Sequence, residues 1–276
     1  MSQGRGAFDF LKMTIRRALG IRFFCSIILI TMAFFLDTEP SVRSVLFGEY
    51  LPQEHQGIAY YLGTTLRYGV NYKLFLVFMT MGYAIDFPFD WKNKAVPAVV
   101  RKLGINSYSA IQIGIAALSG GLAAGGGFLI YILALRTRFP IIATGEGMEQ
   151  MHDFLIGMPY HMGISPQDIR IYIVCITTIL FLSGVAGTAI AMGISVYLNN
   201  AYIVLIAPFL LLRVYIEIAK AFQIPAELRV DLWFAGMVQP FSIPMCLLIL
   251  SGASLIIVLL SKILFAKSLK WRLENG

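Results

Sequence analysis

The residues of this chain whose type and spacing could form a binding site are concentrated in residues 86–106, a charged segment between two apolar stretches. Two carboxylates and four cations belong to it: Asp86, Asp90, Lys92, Lys94, Arg101 and Lys102. A short basic loop beside apolar spans is retained on the cytoplasmic side of a bilayer. We therefore predict a cytoplasmic loop whose cations either contact a charged partner or only fix the topology.

Other kinds of site are disfavoured by residue spacing. His152, Asp153 and His161 match no metal-ligand motif, and isolated loop histidines are usually solvated. The sequence contains no H-E-x-x-H pair, G-x-S-x-G turn or Gly-Lys dipeptide, so it predicts no zinc or serine hydrolase and no P-loop. We expect no catalytic residue, no metal and no cofactor in this chain itself.

The composition of the whole chain is that of a membrane protein. Of its 276 residues 58% are hydrophobic and only 13% are charged, and the mean hydropathy is +0.76. These values predict an all-α, polytopic membrane protein. The net charge of +7 comes from short clusters beside apolar runs and not from a continuous basic face, so nucleic acid is not an expected partner.

Apolar runs near the ~20 residues that cross a hydrocarbon core predict six transmembrane helices in a single transmembrane domain. Their expected ranges are 18–36, 72–87, 107–135, 171–196, 201–216 and 241–264. Lysines and arginines are densest in the segments that this arrangement places inside, which predicts cytoplasmic N- and C-termini. No ionisable residue lies in the middle of a predicted span, which disfavours a proton- or sodium-coupled carrier.

Residues 1–17 combine basic and apolar side chains. This pattern predicts an amphipathic helix on the inner leaflet, with its cations toward anionic headgroups. A plain basic flank that orients the first span is an equally open interpretation. A cleaved signal peptide is disfavoured because no A-x-A-like site follows the apolar run.

Small residues mark two helix faces for close packing. Gly121 and Gly125 form a G-x-x-x-G pair in the third predicted span, and Gly184 and Gly187 belong to a small-residue face of the fourth. Small residues on one face let helix backbones approach each other where lipid removes the hydrophobic driving force. A flexible hinge is the alternative, because glycine weakens a helix.

The order of these parts resembles the permease subunits of bacterial ABC-2-type (ATP-binding cassette) exporters. The shared order is an amphipathic N-terminus, six spans, and a basic cytoplasmic loop between the second and third spans. The resemblance runs over nearly the whole chain. Its most specific pieces are Asp90-Trp91-Lys92-Asn93-Lys94, Val99-Val100-Arg101-Lys102-Leu103-Gly104-Ile105-Asn106-Ser107-Tyr108 and the tail Lys270-Trp271-Arg272-Leu273-Glu274-Asn275-Gly276.

In that family the corresponding stretch docks on the ATPase and leads into the third helix, with a tyrosine entering the membrane. The resemblance implies that residues 88–106 form a cytoplasmic coupling loop. The implied ATPase contacts are Asp90, Trp91, Lys92, Lys94, Arg101 and Lys102. The resemblance also implies a second permease copy, identical or not, and a separate nucleotide-binding subunit that holds ATP and magnesium.

The implied function is export, or extraction from the bilayer, of a hydrophobic or amphipathic substrate such as a peptide, a lipid or a drug-like molecule. The protein would be a multi-pass subunit of the cell membrane, in contact with membrane lipid. Two other classes stay open, an ATP-independent secondary carrier and a non-transporting scaffold or immunity protein. A carrier should show repeat symmetry between its halves, and a scaffold should co-purify with no ATPase.

Overall fold

The computed structural model describes residues 2–38, 57–58, 61–62, 65–66, 69–141, 166–198, 200–225, 229 and 243–275, and these residues contain no strand. Their nine α-helices are α1 (Ser2–Ala18), α2 (Ile21–Asp37), α3 (Phe75–Phe78), α4 (Asp86–Lys92), α5 (Ala95–Leu103), α6 (Ile105–Arg136), α7 (Pro166–Ser195), α8 (Ala201–Ala221) and α9 (Ile243–Asn275). Two 3₁₀ turns, Asn71–Leu74 and Met79–Gly82, flank α3. The predicted all-α fold class is confirmed.

Four helices, α6 to α9, are long and apolar enough to cross a membrane. Helices α1 and α2 are bent by 40° relative to each other and satisfy the same criterion when taken together. They supply a fifth span if this bent pair is counted as a single span. The chain is therefore a multi-pass helical membrane protein, as predicted. The described residues show four or five candidate spans and not the predicted six, and the cytoplasmic placement of both termini stays a prediction.

The difference in number arises at residues 72–87, which were predicted as the second span and form no continuous helix. Helix α3 is four residues long, and the backbone leaves helical geometry at Tyr83, where φ is −148°. Pro88 follows in the first turn of α4, where proline is tolerated. Because Pro88 has no N–H to donate to the carbonyl of Ala84, a helix running through this point would lack that hydrogen bond.

Hydroxyl groups of neighbouring segments bind backbone carbonyls near this break. The Ser26 hydroxyl of α2 donates to the carbonyl of Phe78. The Thr80 hydroxyl donates to the carbonyl of Leu205 in α8, at 3.2 Å. Irregular backbone between membrane helices is tolerated where protein groups satisfy its hydrogen bonds. Apolar content alone does not predict such a break, because each of these hydrogen bonds joins residues that are far apart in the sequence: Ser26 lies 52 residues before Phe78, and Thr80 lies 125 residues before Leu205.

Helix α6 is at the centre of the described structure, where it packs along α7 and is flanked by α2 and α9. Phe34 of α2 stacks on Tyr131 of α6 with ring centroids 5.5 Å apart. The Tyr131 hydroxyl lies 3.1 Å from the hydroxyls of Thr38 and Thr65. Because this buried phenol has partners, the aromatic packing around it leaves no polar atom of Tyr131 unbonded.

Candidate functional site

The charged residues predicted as functional are carried by α4 and α5, two short helices between the broken segment and α6. Lys94 joins the two helices in the left-handed conformation, with φ of 57°. Gly104 joins α5 to α6 with φ of 79°, which glycine adopts at no steric cost. Val96 and Val100 bury the inner side of α5. The polar side of α5 consequently faces away from the helix bundle.

Both carboxylates of this region are bound to arginines of the N-terminal helices. Arg17 donates two hydrogen bonds to Asp90, at 2.8 and 3.1 Å. Asp86 forms ion pairs with Arg17, at 3.1 Å, and with Arg22. Asp86 lies outside the candidate spans, and its burial raises the pKa of its carboxyl, while the two arginines act in the opposite direction. The bidentate geometry fixes α4 in orientation as well as position against α1 and α2.

An aromatic cluster lies beside these ion pairs and connects four helices. Tyr108 of α6 is buried, with its ring 5.6 Å from Phe10 of α1 and 6.4 Å from Phe265 of α9. Phe265 also contacts Phe87 of α4 in an edge-to-face arrangement, with 5.0 Å between centroids. These ring contacts connect α4 to α9, and α9 through Tyr108 of α6 to α1, in an arrangement typical of packed aromatic side chains.

The four cations of this region have no such partners. Their side chains are exposed, and none forms an ion pair or hydrogen bond with another residue of the described ranges: Lys92, Lys94, Arg101 and Lys102. Residues 86–102 thus contain two carboxylates bound to α1 and α2, and four cations that form no ion pair with any carboxylate that the structure describes. The unneutralised positive charge faces the side of the molecule where α6 begins and α9 ends.

Part of this positive surface is a groove with a volume of about 930 Å³. It is lined by Trp91, Lys92, Lys94, Pro97, Val100, Arg101, Gly104, Ile105, Arg272 and Leu273. We call it the basic groove. The Arg272 guanidinium lies 4.2 Å from the ring centroid of Trp91 and donates to the carbonyl of Val196 at 2.6 Å. The end of α9 therefore forms one wall of the groove, opposite α5.

The structure separates the six predicted contact residues into three groups. Four of them line the basic groove: Trp91, Lys92, Lys94 and Arg101. Asp90 is turned toward Arg17, and Lys102 is exposed outside the groove. Arg17 and Arg272 were not predicted as part of the site. The basic character of both termini was visible in the sequence, but nothing in the spacing indicates that one arginine binds Asp90 and the other stacks on Trp91.

The glycines predicted for packing lie between helices. A methyl group placed on Gly184 of α7 would lie 2.5 Å from the Gly120 carbonyl oxygen of α6, and Gly121 and Gly125 face the side chain or backbone of Phe181. Gly187 instead faces Met79 and Pro208, in the broken segment and α8. Gly120, which the G-x-x-x-G spacing did not single out, makes the closest backbone approach to α7.

No metal site accompanies these features in the part of the chain that the structure describes. His152, Asp153 and His161 lie outside it. Within it, no group of three or more histidine, cysteine, aspartate or glutamate side chains could hold a metal ion. The chemistry that the described residues support is electrostatic recognition of a negatively charged partner.

Comparison with known proteins adds no family to this description: no protein-family model, no curated protein and no solved structure matches the chain. The resemblance to ABC-2-type permeases thus rests on the order of the parts and on the residues quoted for it. The sequence and the structure together identify a polytopic, all-α membrane protein with four or five candidate spans and a basic groove at one end.

Proposed function

We propose that this chain is the membrane-spanning permease subunit of an ABC-type exporter. A separate nucleotide-binding subunit hydrolyses ATP with magnesium, and a second permease copy completes the transport path. The substrate is a hydrophobic or amphipathic molecule, such as a peptide, a lipid or a drug-like compound, which is exported or extracted from the bilayer. This chain contributes the path and the contact with the ATPase, and it has no catalytic residue of its own.

The observation that carries this proposal is that the carboxylates of this region are bound to neighbouring helices, whereas its cations are exposed. Asp86 and Asp90 bind Arg17 and Arg22, so the short helices are fixed to α1 and α2. The cations that remain are exposed and unpaired within the described residues. Lysines and arginines that only set the membrane topology do not need to lie on a rigidly attached helix. A surface that transmits the motion of a bound partner does need rigid attachment to the rest of the protein.

The contacts beneath this surface supply a route for that motion. The aromatic cluster of Phe10, Phe87, Tyr108 and Phe265 joins α4 to α1, α6 and α9. Rigid-body displacement of short elements at an interface is one of the common ways in which domain motion is transmitted. Complementary charge would select the ATPase and fix its orientation.

The experiment is purification of the chain from its native membrane in mild detergent, with identification and ATPase assay of the proteins that accompany it. We expect one ATPase subunit per permease chain. The variant Lys94→Glu/Lys102→Glu should lose most of the bound ATPase, because it reverses two unpaired charges of the contact surface. The matched control Lys12→Glu/Lys267→Glu makes the same charge change at exposed lysines outside α4 and α5 and should retain the ATPase.

Equal retention of the ATPase by the two variants would remove the assignment of the contact to α4 and α5. Purification of intact, folded chain with no ATPase would remove the ABC-type function as a whole. In that case a secondary carrier or a scaffold becomes the better description.

A further inference from the structure

The basic groove has a second property that contact with an ATPase does not require. Half of its lining is apolar, including Pro97, Val100, Ile105 and Leu273. Within the part of the chain that the structure describes, no carboxylate lines it. A ligand that fills it must therefore carry negative charge and an apolar portion on the same molecule.

The position of the groove relative to the spans places it at a membrane surface. Gly104 and Ile105 stand at the start of α6, and Arg272 and Leu273 stand near the end of α9. These helices have 32 and 33 residues, which at ~1.5 Å per residue is close to 50 Å. A bilayer is ~40–45 Å thick with its headgroups. Their ends consequently emerge at or just beyond headgroup level.

A second, mainly apolar pocket adjoins the groove. Its volume is about 530 Å³, and it is lined by Met81, Ile85, Pro88, Phe89, Lys92, Asn200, Ala201, Tyr202 and Leu205. Lys92 lines both the pocket and the basic groove. An apolar cavity and a cationic cavity that share one lysine provide the two environments of an amphipathic anion.

We propose that the basic groove binds the phosphate headgroup of an anionic phospholipid, with its acyl chains along the adjoining apolar pocket. The leaflet is the inner one, because the positive-inside rule assigns the basic side to the cytoplasm. Basic pockets between transmembrane helices on that side are suited to anionic headgroups. An acidic protein segment would use the cations but leave the apolar pocket empty, so the lipid accounts for more of the site. This inference does not depend on transport or on an ATPase.

The test uses the purified full chain in neutral detergent, without ATPase, and native mass spectrometry with added dioleoylphosphatidylglycerol or dioleoylphosphatidylcholine. We expect phosphatidylglycerol to be retained preferentially. In the variant Lys94→Gln/Arg101→Gln its apparent affinity should fall about tenfold or more, since each cation near a headgroup contributes substantially to binding. The matched control Lys12→Gln/Lys267→Gln removes the same charge at exposed lysines outside the groove and should stay within about twofold of the unmodified protein.

Each of the other outcomes would overturn the proposed lipid site. Equal loss in the two double variants, or retention of both lipids alike, would show non-specific attraction and overturn the site. Displacement of the lipid by inorganic phosphate at a similar concentration would show a phosphate site instead of a lipid site. Unchanged retention of phosphatidylglycerol by the groove variant would remove the groove as the lipid site and leave it to a protein partner. Unfolding in detergent is measured in parallel, and Arg101→Gln alone replaces the double variant if that variant does not fold.

Discussion

The inner helices α6 and α7 differ from the outer helices α8 and α9 in burial, although all four are apolar enough to cross a membrane. In the most apolar 18-residue stretch of each, 61% of residues are buried in α6 and 50% in α7, against 17% in both α8 and α9. The inner pair contains nine glycines, six in α6 and three in α7, and the outer pair contains one, Gly252. Hydropathy predicts which helices enter a bilayer, whereas side-chain size predicts which of them pack together.

The largest effect is expected from filling the inner contact. Gly184→Leu should abolish folding or cost more than about 3 kcal/mol, because its Cβ would lie 2.5 Å from the Gly120 carbonyl oxygen and 2.9 Å from Ala124. Gly252→Leu in α9 is the matched control, since nothing lies within 4 Å of that position. Thermal unfolding in detergent, followed by size-exclusion chromatography, measures both. Equal stability of the two variants would contradict the packing of α6 on α7.

An intermediate effect is expected from hydrogen bonds inside the inner region. Thr31 donates to the carbonyls of Ile27 and Gly127, at 2.9 Å each, whereas the buried Thr188 hydroxyl has no partner among the described residues. Thr31→Val should therefore cost about 0.5–1.5 kcal/mol, and Thr188→Val should be neutral or slightly stabilising. The same unfolding measurement compares the two. A larger cost at Thr188 would mean that its hydroxyl is bonded in the membrane.

The smallest effect is expected on the outer helices. Leu255 and Leu259 of α9 are 60% and 50% exposed. Replacing either by alanine should change the stability of the isolated chain by less than about 0.5 kcal/mol. Particle mass measured by light scattering is the second readout. A change from dimer to monomer in these variants would show that a second copy covers this face. The difference in burial between the inner and outer helices would then be smaller in the assembled protein than in the single chain.

The sequence predicted the fold class and the long helices because these depend on local properties. The four long helices α6 to α9 each contain a long apolar run that no proline terminates, and α8 continues through Pro208. Residues 72–87 have similar apolar content, but the segment also forms hydrogen bonds with distant residues, from Ser26 to Phe78 and from Thr80 to Leu205. A pattern within one segment cannot contain that information.

The candidate site was predictable to a similar extent. The excess of cations in residues 86–106 was visible in the sequence, and four of the six predicted contact residues line one groove. Which charges are neutralised was not visible, because Arg17 lies 73 residues before Asp90. The G-x-x-x-G spacing likewise indicated a packing face on α6 but not its partner, and it left out Gly120.

The ion pairs between α1 and α4 also have a consequence for biosynthesis. Arg17 and Arg22 are made first, and their carboxylate partners emerge 64 to 73 residues later. At ~5–20 residues per second, roughly 3–15 s pass in which the two arginines have no carboxylate from α4. During that interval the N-terminal helices form without their ion pairs to α4. Synthesis of Asp86 and Asp90 then ends the interval, and α4 becomes attached to two helices that were already made.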